Sequence, residues 1–154
     1  MLKNTVYLGL SVESLHHGHI NLIKQGQKYG KIIVGLISDK AIAQNKRVPL
    51  LNYNQRKMII ENIKGVSKVI PQTNWDYSEN IKKYKPEFMI HGDDWQKGSQ
   101  IILRKNALKA LKKYGGKLIE VPYTKDISST ALAEQQFSLG ITPELRLKSL
   151  KKNL

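Results

Sequence analysis

The feature that most restricts the fold of this chain is the regular exchange of short apolar runs with helix-length amphipathic stretches. Thr5 to Leu10 is an apolar run with β-branched and aromatic members, and after a polar bend Ile20, Leu22 and Ile23 lead to a stop at Tyr29-Gly30. Lys31 to Ser38 does not alternate between apolar and polar residues, which predicts a strand buried on both faces. The chain therefore opens as a β-α-β unit. The same reading gives a helix from Asn54 to Asn62, a strand Val66 to Ile70, a short helix Ser78 to Lys83 and a strand Glu87 to His91. A helix follows from Ser99 to Tyr114, with Ile101, Leu108 and Leu111 on one face and Gly115-Gly116 ending it. Lys117 to Val121 is the last strand and Ser129 to Leu139 the closing helix.

Strands alternating with helices of this length predict an α/β architecture, a parallel sheet with helices on both faces. In such sheets ligands bind outside the carboxyl ends of the strands. Five polar clusters follow predicted strand ends: His16 to His19, Ser38-Asp39, Pro71 to Tyr77, His91 to Trp95 and Tyr123 to Thr130. One edge of the sheet is thus expected to carry the chemistry. Residues 1–139 read as one domain, and residues 140–154 as a helical tail entered through Gly140-Ile141-Thr142-Pro143.

Composition narrows the chemistry. A chain of 154 residues can bury a core without staples, and with no cysteine there is no thiol nucleophile, disulfide or Cys-ligated zinc. No apolar run reaches the roughly 20 residues of a membrane helix, and Met1 to Asn4 leads directly into a strand. A soluble, cytoplasmic protein without a membrane partner is expected. The net charge of +14 raises the question of a polyanionic partner. Lys105, Lys109, Lys112 and Lys113 share the outer side of one helix and Lys148, Lys151 and Lys152 crowd the tail, so solvated lysine accounts for much of the charge and no nucleic-acid partner is expected.

In His16-His17-Gly18-His19 the first and last imidazoles lie three residues apart at a helix start and project from the same side. Gly18 lets a triphosphate approach the backbone, where the helix dipole and N–H groups favour an anion. Alone, the tetrapeptide fits a pair of surface histidines equally well. Zinc competes weakly, because His91 is the one remaining histidine. Ser128, Ser129 and Thr130 precede the last helix, where a serine caps the helix and can also face phosphates. His91-Gly92-Asp93-Asp94-Trp95 combines a close backbone approach with carboxylates suited to hydrogen bonding or Mg2+, although Asp94 also fits a helix cap and Trp95 a core filler. Lys46-Arg47 lies in a polar loop that could close over phosphates.

Taken together these residues resemble the cytidylyltransferases of the H-x-G-H nucleotidyltransferase superfamily, including the glycerol-3-phosphate enzymes. The resemblance spans nearly the whole chain: His16 to His19, Tyr53 to Met58, Val69-Ile70-Pro71, Trp75, Gly92 with Asp94-Trp95, and Ile127 to Thr130. A closer likeness is to the cytidylyltransferase domain fused to some phosphoenolpyruvate mutases, seen at Lys46 to Leu51, His91 to Trp95 and Glu120 to Thr124. Even the tail resembles the join to the mutase, although 154 residues are too few to hold that barrel of roughly 250 as well.

The resemblance implies a Rossmann-like fold and CTP held by Gly9, Leu10, Ser11, Gly18, Gly92, Asp94, Trp95, Ile127, Ser128, Ser129 and Thr130. It assigns Arg56, Lys64, Trp75 and Tyr77 to the acceptor, and His16, His19 and Lys46 to catalysis. It also implies Mg2+ carried mainly by the triphosphate, with protein ligands unassigned, and a homodimer. The family's G-T-F-D approach is here Leu10-Ser11-Val12-Glu13, its R-Y-V-D segment is Lys64-Gly65-Val66-Ser67, and Tyr123 stands where an arginine is expected. These departures turn the expectation from glycerol 3-phosphate towards a small organophosphonate, 2-hydroxyethylphosphonate or 2-aminoethylphosphonate. Its oxygen would attack the α-phosphorus of CTP and expel pyrophosphate. Glu13, Asp76 and Asp93 are the candidate acids for recognising an amine. The alternatives are a phosphate-monoester cytidylyltransferase and an ATP-using adenylyltransferase of the same superfamily.

Overall fold

The unbroken apolar run Lys31–Ile37 becomes the second strand, β2, and lies beside the first strand, β1, Thr5–Leu10, in parallel register from Thr5 opposite Lys31 to Leu10 opposite Leu36. The computed structural model describes residues 4–45 and 49–138. Three more strands, β3 (Val66–Gln72), β4 (Phe88–Gly92) and β5 (Lys117–Val121), complete a parallel sheet of order β3-β2-β1-β4-β5.

Both faces of the sheet are buried, for the reason the sequence gives. Val6, Leu8, Ile32, Val34 and Leu36 point to one face, where Ile23 of α1 (His17–Gln27) and Ile60 of α3 (Tyr53–Glu61) cover them. Tyr7, Ile37, Ile70 and Met89 meet the opposite layer, which contains α2 (Asp39–Asn45), α4 (Ser78–Tyr84) and α5 (Ile101–Lys112). The two-residue period of a strand sorts one apolar run into two cores. A last helix, α6, spans Ser129–Ser138.

Two local expectations change. The polar Ser38-Asp39 cluster begins helix α2, which the sequence reading left as loop; Ser38 Oγ accepts from Ala41 N at 3.3 Å, a serine cap. On α5 the buried face is Ala107, Ala110 and Leu111, whereas Ile101 and Leu108 are exposed. Small alanines let α5 sit close to the sheet, and size rather than hydropathy sets its rotation. The tail, residues 140–154, lies outside the described residues.

The strand order reverses between β1 and β4, the switch point at which ligands bind in open α/β sheets. Their register joins Val6 to Phe88 and Tyr7 to Met89, and beyond these pairs the strands part. Gly9 to Ser11 on one side and His91-Gly92 on the other line the resulting crevice.

Candidate functional site

The crevice opens into a cavity of about 590 Å³, within the range of small-molecule sites. Four of the five polar clusters border it; Ser38-Asp39 does not. Of the residues assigned to the nucleotide, Gly9, Leu10, Ser11, Gly18, Gly92 and Asp94 lie on its wall. Ile127, Ser128, Ser129 and Thr130 border it from the start of α6.

Two histidines build the start of α1. His16 is the N-cap, and its Nδ1 accepts from Gly18 N at 3.1 Å; His19 Nδ1 accepts from His16 N at 3.3 Å. This is a capping box made with imidazoles in place of serine and glutamate. The rings lie 3.9 Å apart, centroid to centroid. With each Nδ1 used as an acceptor, each neutral ring carries its proton on Nε2. The Gly18 N–H is thus already engaged by His16. Burial, and then the neighbouring His17, pushes the His16 pKa below its ordinary value, which favours that neutral form.

Gly18 is required by contact: a Cβ there would stand 2.9 Å from the His16 ring. Gly9 is equally constrained, since the Tyr77 ring lies directly on its backbone. Val12, between β1 and α1, is a buried β-branched residue with φ of 49°, a strained conformation in the loop that presents the histidines.

On the α6 side, Ser128 is the cap, its Oγ accepting from Ala131 N at 3.0 Å. Ser129 Oγ donates to Ser14 O at 3.1 Å and accepts from Ser14 N at 3.3 Å, tying α6 to the loop ahead of His16. The positive ends of two helix dipoles therefore border one cavity.

The acceptor assignments divide. Trp75 and Tyr77 border the cavity, Trp75 with its indole N–H bound to Ala41 O at 2.9 Å. Arg56 does not: it is fully buried and donates to Leu51 O, Ile37 O, Ser11 O and Asp39 Oδ1. It ties strand ends together and has no exposed surface for a substrate. Lys64 is also corrected, since it precedes β3 at the far edge of the sheet, where its carbonyl accepts from Gln27 Nε2 at 3.0 Å. Trp95 also lines the cavity, with its ring otherwise fully buried. Lys46, with Arg47, lies outside the described residues.

Of the acids, Asp94 borders the cavity. Asp93 accepts from Tyr123 N at 2.9 Å, Asp76 is engaged by Ser78 and Asn106, and Glu13 is buried. Among the described residues no cluster of three or more His, Cys, Asp or Glu could hold a metal. Mg2+ bound through substrate phosphates and one carboxylate fits this donor set, with Asp94 the residue placed to supply it.

Several wall residues escaped the sequence reading. Asn21 and Gln25 follow the assigned Gly18 at helical spacing on α1, a periodicity that could have revealed them. Gln72, which lies behind the wall, could not be found this way: it is buried, accepts from Tyr7 Oη and Asn80, and donates to Asn74 O and Asp76 O, holding the turn that carries Trp75 and Tyr77. His91 also borders the cavity, with Nδ1 2.8 Å from Gly92 O.

Glycerol-3-phosphate cytidylyltransferase of Bacillus spizizenii is 31% identical over 90% of this chain and 100% of its own length. An ethanolamine-phosphate cytidylyltransferase of Arabidopsis thaliana is 28% identical over 81% of the chain, which spans only 30% of that longer protein. A lipopolysaccharide core biosynthesis protein of Thermoplasma volcanium shares the fold, with a TM-score of 0.67 at 23% identity over 80% of this chain and 99% of its own. Residues 13–135 match the sequence profile described as Cytidylyltransferase-like, so the segment from the loop before His16 to the body of α6 places this chain in the cytidylyltransferase-like family.

Proposed function

We propose that this protein transfers CMP from CTP to the phosphate of a small phosphate monoester, releasing pyrophosphate. The observation that carries the reading is the His16–His19 capping box, whose Nδ1 atoms accept from backbone N–H groups and whose rings border the switch-point cavity. The activities named for the relatives, on glycerol 3-phosphate and ethanolamine phosphate, support this acceptor class.

An acceptor phosphate oxygen attacks the α-phosphorus in line, forming the new P–O bond as the bond to the bridging oxygen breaks and its electron pair leaves with pyrophosphate. Charge gathers on the phosphate oxygens, and His16 and His19 donate to it from fixed positions. The start of α6 adds its dipole, and Lys46 belongs to the same proposal as a further cation. Mg2+, carried on the triphosphate with Asp94 as the available carboxylate, would neutralise phosphate charge.

A second reading, a small organophosphonate acceptor, is favoured by the departures at Leu10 to Glu13 and Lys64 to Ser67, and by Tyr123 in place of an arginine. Incubation with Mg2+, each nucleoside triphosphate and a panel of phosphate monoesters and phosphonates, followed by phosphorus NMR, separates the readings. A new P–O–P linkage formed with CTP and a monoester is expected. Product with phosphonates alone would transfer the assignment to the second reading, product with ATP alone would make the protein an adenylyltransferase, and no product from any pair would overturn the proposal.

A further inference from the structure

A chain of side-chain contacts runs beneath the wall that His91 and Asp94 give the cavity. Arg104 on α5 grips Glu120 on β5 with two bonds, Nε to Oε1 at 2.8 Å and Nη2 to Oε2 at 2.9 Å. Glu120 Oε1 also accepts from Trp95 Nε1 at 2.7 Å. The fully buried Trp95 ring is stacked on His91, with centroids 3.7 Å apart and planes 9° from parallel. His91 Nδ1 lies 2.8 Å from Gly92 O and 3.9 Å from Asp94 Oδ1. Glu120 does not border the cavity, yet two contacts, its bond from the Trp95 indole and the stack of that indole on His91, link it to a ring that does.

Packing alone would not require this arrangement. A buried indole needs one acceptor for its N–H, and a neutral group would serve. A carboxylate locked from two sides by a guanidinium is an acceptor with a fixed direction, so it selects one orientation of the indole. A nearly parallel stack then sets the plane of the imidazole. In that plane Nδ1–H donates to Gly92 O, which leaves Nε2 as an acceptor, the reverse of the polarity at His16 and His19. The cavity thus has a donor side formed by two histidines and an acceptor side formed by His91 and Asp94.

We propose that Glu120 is a positioning residue for the reaction: by anchoring the Trp95 N–H it sets the His91 plane and aims the His91–Asp94 wall at an N–H or O–H group of a bound substrate. The inference rests on the cavity being the CTP site. Such a donor group occurs on the base and ribose of the nucleotide and on the organic part of the acceptor, and the substrate whose KM changes identifies which one docks there.

The test compares Glu120→Leu, Glu120→Gln and Trp95→Phe in the full chain. In ligand-free protein the His91 carbon-bound protons should be shifted upfield by the Trp95 ring current. Glu120→Leu should move them back towards ordinary imidazole positions, while Glu120→Gln, whose amide oxygen still accepts from the indole, should keep them shifted. Glu120→Leu should also reduce kcat/KM for one substrate roughly tenfold, with the glutamine variant restoring most of the loss. Trp95→Phe should cost about the same, and the double variant Trp95→Phe/Glu120→Leu little more than either single one. If Glu120→Leu does not fold, Trp95→Phe, which leaves the Arg104 pair intact, carries the same comparison.

Unchanged His91 resonances and kinetic constants in a folded but less stable Glu120→Leu variant would overturn the proposal, as would additive losses in the double variant. The resonance comparison needs no turnover. A wild-type protein without transferase activity would therefore count against the proposed function and leave this inference to be decided by NMR.

Discussion

The imidazoles of His16 and His19 lie 3.9 Å apart and each accepts a hydrogen bond from the backbone at the start of α1. One pair of side chains both caps the helix and borders the cavity, so the capping role and the proposed role in transfer must be separated by the choice of substitution. His16→Asn keeps a capping acceptor and removes the ring. Turnover should fall roughly a hundredfold or more, the usual cost of one transition-state donor, while the melting temperature stays near wild type. His16→Ala should lose turnover and also about 1 kcal/mol of stability. Steady-state kinetics and thermal melts check both, and near-normal turnover in His16→Asn would remove the ring from the mechanism.

Gly18→Ala should separate activity from stability in the other direction. Alanine is the better helix former by about 0.5–1 kcal/mol, yet its Cβ would stand 2.9 Å from the His16 ring and push it aside. Melting temperature should hold or rise while kcat drops at least tenfold, about the effect of misplacing a group by a fraction of an ångström. A variant with wild-type kcat would show that the ring tolerates displacement.

Arg56→Met should be among the most damaging substitutions to stability. It removes a fully buried guanidinium and leaves the carbonyls of Leu51, Ile37 and Ser11, and the Asp39 carboxylate, without their donor. A loss of about 3 kcal/mol is expected in denaturant unfolding, with weaker CTP binding because Ser11 borders the cavity. Arg56→Lys should recover little, since an ammonium cannot reproduce the fork.

Acid should weaken the fold in two stages. Burial holds His16 and His91 below the ordinary imidazole value of 6.5. The unfolded chain then binds protons more readily, so their contribution is complete above about pH 6.5 and is lost as the pH falls below it. Glu120 is held at about 2, against an ordinary 4.5, chiefly by its hydrogen bonds from Arg104. That contribution is present above 4.5 and lost as the pH falls towards about 2. Melting temperatures measured from about pH 8 to about pH 3 should decline in both windows, and Glu120→Gln should flatten only the lower one. A melting temperature unchanged between about pH 7 and pH 5 would contradict the histidine stage.

Sequence by itself determined the layers and the edge that carries the site. Apolar runs that never alternate can be satisfied only by a sheet covered on both faces, and in a parallel sheet the loops after the strands are forced to one edge, which is how His16, Gly92 and Ser128 come together. It missed α2, whose serine cap was legible at Ser38, because the following Asp39-Lys40 looked like polar loop. It placed Ile101 and Leu108 inward because hydropathy does not say how closely a helix approaches its sheet. Tertiary structure alone decided what the polar residues do. The family resemblance reads Arg56 as a substrate cation, yet its acceptors come from three separate segments, at Ser11, at Ile37 to Asp39 and at Leu51, and no pattern along the chain reveals that they converge. The same holds for the histidines: their spacing predicts a shared face, but which nitrogen carries the proton is set by backbone groups that meet them only in the folded cap. The pair therefore borders the cavity in a tautomer set by the fold, on residues that the sequence had already put in place.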